Sequence, residues 1–210
     1  MIKYPNSVTE HEAIELNKFC NRLTNFFGIK IDSMSIIEVK SRADFDKFFR
    51  EKTENWLVGE TRGKTVYILK KNKFESDSIH KEEEYLQILK HEICHIFISK
   101  INNDCPSFLA EGLCENFAGQ TKRIKIKEEN LKNFFGKDIF YVNYNYNEFA
   151  NKEGYSISFW VVKELLENFS NSVIIDLIKI SKKSSDWKKQ IENITGISYE
   201  QYLKIAKSKL

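Results

Sequence analysis

No apolar run in this chain approaches the roughly 18 residues that a membrane-spanning helix needs, so no such helix is expected. An apolar stretch is missing from the N-terminus too. Glu10, His11, Glu12 and Glu15 stand where a secretory signal would be hydrophobic. With Met1 as the native start the chain is expected to be cytoplasmic, although the same sequence also suits a trimmed form. Charge of one sign is scarce, with 33 basic against 30 acidic residues and a net charge of +3. That balance is too even to argue for nucleic acid. The basic residues are mostly lysine, and no helix-turn-helix with a basic face is evident. Neither nucleic acid nor membrane is therefore expected as a partner. The four cysteines, Cys20, Cys94, Cys105 and Cys114, form no CxxC pair, which excludes a thiolate zinc site built on that spacing. Cys94 and Cys114 fall at apolar helix positions and read as small buried thiols. All four are expected to be free, as in a reducing compartment. Repeats and low-complexity tracts are absent. What remains, 41% apolar and 30% charged residues over 210 positions, describes one globular domain with ample chain for a core.

Hydrophobic periodicity divides the chain into segments. Residues 9–27 predict a helix, with Thr9 and Glu12 as a capping box and Gly28 as its stop. Residues 35–39 predict a strand, 42–52 a helix, and 57–70 a β-hairpin turning through Glu60-Thr61-Arg62-Gly63-Lys64. Helices are expected over 82–100, 106–118, 155–168, 171–182, 186–195 and 199–208, with mixed loop and short helix over 122–147. Strands come early and helices late, which indicates an α+β fold and not a βαβ one. Residues 1–100 form an expected α+β subdomain and 101–210 a helical one, together making one domain overall.

Histidine is as scarce here as cysteine. There are four, and two fall in His91-Glu92-Ile93-Cys94-His95. On a helix, positions four apart share a face, so both imidazoles can bind one metal ion. Glu92 projects beside them, where it can take a proton from a bound water. This spacing is a zinc-hydrolase signature.

A catalytic zinc takes three protein ligands and keeps one position open. Glu111 is the candidate third ligand, because a carboxylate flanked by Leu109, Ala110, Gly112 and Leu113 makes an awkward surface residue and buried carboxylates are paired or bind metal. Gly112 costs about 1 kcal/mol inside a helix relative to alanine, which implies a close approach. Glu115, one turn on, is placed to accept an N–H from a ligating histidine. The plain alternative for each acid is a partly exposed helix residue.

These residues also carry a resemblance. The motif, 15 intervening residues and then Glu111 within Pro106-Ser107-Phe108-Leu109-Ala110-Glu111-Gly112-Leu113-Cys114-Glu115-Asn116-Phe117 resemble the gluzincin metallopeptidases of the peptidase MA type, the shorter minigluzincins above all. Their pattern is HExxH followed by P-x-W-L-x-E-G-x-A-E-Y. Phe108 stands for the tryptophan, Phe117 for the aromatic and Cys114 for the alanine. The stretch from Tyr155 through Phe159 and Trp160 resembles the family's tyrosine-led helix, which a small helical subdomain follows. Residues 65–69 resemble its substrate-binding edge strand.

The resemblance implies a zincin-like fold, with a small mixed sheet, an active-site helix and an all-helical C-terminal part. It implies one Zn²⁺ per chain on His91, His95 and Glu111, with Glu92 as general base and proton carrier to the leaving amine. Tyr155 is the implied oxyanion donor, with Tyr141, Tyr144 and Tyr146 as neighbours in a segment suited to line a cleft. A peptide or protein substrate would add to the edge strand at Val66, Tyr67, Ile68 and Leu69. The plain alternatives are a tyrosine packed at a helix start and a strand with no ligand role. Endopeptidase activity is expected over aminopeptidase activity, because no G-x-M-E-N-like segment precedes the motif helix. Two other classes compete: a non-catalytic zinc-binding regulatory or binding module, and a zinc amidase with a non-protein substrate. The intact Glu92 argues against the first. No particular oligomeric state is implied.

Overall fold

A computed structural model describes residues 2–120, 127, 129–130, 146–151, 153–180, 184, 186–198 and 201. The chain forms two compact units, Met1–Phe97 and Ile98–Leu210.

The first unit is a mixed sheet with helices. Its elements are β1 (Ile2–Lys3), α1 (Glu10–Phe27), β2 (Met34–Val39), α2 (Arg42–Phe49), β3 (Gly59–Arg62), β4 (Thr65–Leu69) and the single turn α3 (Phe74–Asp77). The long α4 (Tyr85–Ile101) starts in this unit, behind a 3₁₀ turn at Glu82–Glu84. The strand order is β1-β2-β4-β3. β1 and β4 run parallel to β2, and β3 pairs antiparallel with β4. The fold is thus mixed α+β as the element order indicated, and the path β1–α1–β2 adds one local βαβ crossover to it. β1 is two residues long, too short for any periodicity to announce it.

Local chemistry explains the elements. Thr9 and Glu12 form the capping box of α1, and Gly28 closes the helix in the left-handed region at φ +66°. The hairpin is tighter than its five-residue turn reading. Arg62 pairs with Thr65, and Gly63 at φ +60° supplies the two-residue bend. Glu60, Thr61 and Arg62 therefore belong to β3, where their polarity disguised a strand.

Alternation along the strands builds two faces. Ile36, Val66 and Ile68 are buried, and so are Leu16, Phe19, Leu23 and Phe27 of α1 and Leu89, Ile93 and Phe97 of α4. The Phe27 and Phe97 rings stack with centroids 6.1 Å apart. Tyr67, on the opposite face from Val66 and Ile68, meets Phe48 of α2 at 4.3 Å, and the Arg62 guanidinium lies 3.9 Å over the Phe48 ring. Arg42 at the start of α2 ties down the loop that feeds β3. Its guanidinium donates to Thr53 Oγ1 and to the main-chain oxygens of Glu54, Asn55, Leu57 and Asp77.

The second unit, taken by itself, is helical. It contains α5 (Ser107–Ala118), α6 (Tyr146–Asn151), α7 (Gly154–Asn168), α8 (Asn171–Lys179) and α9 (Trp187–Thr195). α5 and α7 pack closely at Gly112, where a Cβ would run into the Ser158 carbonyl and Val162. Asn116 bridges the same pair, donating to the carbonyls of Gly112 at 2.7 Å and Phe159 at 2.8 Å. The expected helix over 199–208 and most of the 122–147 segment lie outside the described residues. Among the described residues no helix is long and apolar enough to cross a membrane, and no disulfide joins the four cysteines.

Candidate metal centre

α4 is buried on every side where the motif falls. His91, Glu92, Ile93 and Cys94 are all buried in succession, and His95 is half-buried. A helix enclosed on all faces is apolar all round, and Leu89, Ile93, Ile96, Phe97 and Ile98 meet that demand. Two histidines and a glutamate in such a helix need a polar purpose.

The helical repeat brings His91 and His95 together as expected. Their Nε2 atoms lie 3.1 Å apart and their ring centroids 4.9 Å apart. Two nitrogens bound at about 2.0–2.1 Å to one tetrahedral zinc would be separated by roughly 3.3 Å. The pair therefore has close to the bite that such an ion requires. The other two histidines take no part in the motif, and His80 Nε2 contacts the Trp56 carbonyl at 2.9 Å.

Glu92 is held by β3. The Thr61 hydroxyl lies 2.8 Å from both Glu92 Oε2 and the Glu92 main-chain oxygen. Gly59, two residues earlier on the same face, leaves no room for a methyl group, since a Cβ there would stand 3.0 Å from Glu92 Cγ and 3.1 Å from Oε1. Sequence reasoning missed both residues, because Thr61 was assigned to a turn. The available signal was period two, with Gly59 and Thr61 flanking Glu60.

The edge-strand assignment needs correction. Val66, Tyr67, Ile68 and Leu69 lie on β4, which pairs with β2 on one side and β3 on the other. Both rows of its backbone groups are engaged, so no peptide can add there. Among the described residues the edges of the sheet are β1 and β3, and β3 is the one that lies against Glu92. Leu69 N–H donates to the Val58 carbonyl at 2.8 Å, which makes Val58–Leu69 a hydrogen-bonded pair of the antiparallel ladder. By alternation, Gly59 and Thr61 turn their backbone N–H and C=O groups away from β4.

In the second unit, Glu111 and Glu115 both lie on α5 and are both buried, with Glu115 only 1% exposed. Cys114 on the same helix is fully buried. Gly119 ends α5 in the left-handed region, where Gln120 N–H closes on the Glu115 carbonyl. Tyr155 sits in the first turn of α7, half-buried, with its ring edge-on to Phe149 at 4.9 Å. Tyr141 and Tyr144 lie outside the described residues, as does the Tyr146 side chain.

No protein-family model, curated protein or solved structure matches the chain.

Proposed function

We propose that this chain is a zinc-dependent peptidase, and an endopeptidase in particular. The observation that carries this reading is the His91–His95 pair, with Nε2 atoms 3.1 Å apart on a buried helix and Glu92 between them in sequence. The donor set suits zinc, which favours imidazole with a carboxylate or thiolate. Glu111 is the proposed third ligand. Cys114 of the same helix is the competing one, since a thiolate suits zinc as a carboxylate does. Bound zinc would supply Lewis acidity and bring the pKa of a coordinated water toward neutrality.

The chain's own groups do the rest. Glu92 accepts the proton of the attacking water and delivers it to the leaving amine. The Tyr155 hydroxyl donates to the oxyanion. A substrate segment pairs with the outward backbone groups of Gly59 and Thr61 on β3, in place of the β4 residues first expected to bind it.

The test is hydrolysis of an unbiased peptide mixture by the wild type and by Glu92→Gln. The expected outcome is internal cleavage by the wild type and loss of most turnover in the variant, with zinc content and fold retained. Cleavage by Glu92→Gln at the wild-type rate contradicts the mechanism. Zinc binding without any hydrolysis favours the non-catalytic module or the amidase.

A further inference from the structure

We propose that Thr61 is a positioning residue for the general base, coupling the edge strand to Glu92; this rests on the peptidase reading above. Three observations converge on one residue. Thr61 Oγ1 lies within hydrogen-bond distance of the Glu92 carboxylate and of its main-chain oxygen, each at 2.8 Å. The strand also comes close to the same side chain at Gly59, where an added Cβ would stand 3.0 Å from Glu92 Cγ. The backbone of Thr61 belongs to the row that β3 directs away from β4.

A glutamate side chain has three rotatable bonds, and a base that wanders by an ångström can lose on the order of 10² in rate. Gly59 bounds Glu92 sterically and Thr61 ties it chemically. A hydroxyl suits this task because it both donates and accepts and its proton rotates freely. It can donate to the carboxylate before proton uptake. It can then turn to the main-chain oxygen and accept from the carboxyl afterwards. A valine of the same shape does neither, and a serine does both. Since the same residue offers its backbone to an added strand, docking of a substrate segment on β3 fixes the residue that aims the base.

The experiment compares Thr61→Val and Thr61→Ser, each alone and combined with Glu92→Gln, in the full chain. It reads thermal stability, zinc content, kcat and KM on a peptide that the wild type cleaves. Thr61→Val is expected to lower kcat about 10- to 100-fold at unchanged KM and zinc content. Thr61→Ser is expected to restore most of that loss. Thr61→Val should cost no further activity in the Glu92→Gln background, and the two substitutions should be non-additive in stability. Gly59→Ala, which displaces Glu92 without touching the hydroxyl, should lower kcat as well. Additive stability effects overturn the tether. A wild type that cleaves, with turnover abolished by Glu92→Gln and unchanged by Thr61→Val, overturns the role of Thr61 and leaves the peptidase standing. A wild type that cleaves nothing, with stability coupling intact, overturns the peptidase reading and the positioning role with it.

Discussion

At Gly112 the backbone of α7 comes close to α5. A glycine inside an apolar helix is unfavourable unless something needs the space, and the Ser158 carbonyl of α7 occupies it. Gly112→Ala is expected to destabilise the fold by about 1–3 kcal/mol, the usual range for overpacking, because the obstacle is backbone that cannot rotate away. Denaturant unfolding measures this, and stability within about 0.5 kcal/mol of wild type would contradict the close approach. Glu111 and Cys114 are separable by the chemistry of their donor atoms. With Glu111 as ligand, a cobalt-substituted sample shows no thiolate-to-metal charge-transfer band, Glu111→Ala loses the metal and Cys114→Ala keeps it. The opposite pattern assigns Cys114. For Tyr155, removing only the hydroxyl in Tyr155→Phe should lower kcat roughly 10²–10³-fold, the usual cost of one oxyanion donor. Zinc content and melting temperature should stay unchanged, and an unaltered kcat would reject the role.

At the level of elements, α1 and the loop before β3 show how polar side chains set the frame. Glu12 caps α1 and also pairs with Lys71 at 2.9 Å. Partial burial works against its ionised form, but the Thr9 N–H, the Lys71 ammonium and the Thr9 hydroxyl outweigh it, so its carboxyl is held below the usual range. A depressed folded value contributes stability above the ordinary carboxylate range and loses it as pH falls through the folded value. Glu12→Ala should therefore cost about 1 kcal/mol at neutral pH, typical of a lost cap. The gap between its melting temperature and that of the wild type should narrow in acid, and a gap independent of pH would contradict the ionic contribution. Arg42 has a different task. Its planar fork satisfies several loop carbonyls at once, the shortest contact being 2.6 Å to the Leu57 oxygen. Arg42→Lys keeps the charge and loses that geometry. Because this loop leads into β3, the expected loss is about 1–3 kcal/mol, in line with hydrogen bonds to a charged group.

Across the molecule, what was legible in the sequence was what is local. The α1 helix announced itself through Thr9, Glu12 and Gly28, and the α4 motif through the four-residue spacing of His91 and His95. Strand order was not legible, since the β2–β4 pairing joins Ile36 to Val66 across thirty positions of chain. Without that pairing, β4 looked like an edge and β3 like a turn. Thr61 escaped for the same reason, because its partner Glu92 is 31 residues away. The metal proposal survives these corrections because it rests on one helical turn. Its most direct test is elemental analysis of the purified full chain beside a His91→Ala/His95→Ala double variant. About one zinc per wild-type chain and none in the variant is the expected result; full zinc retention by the double variant would contradict the assignment of the centre.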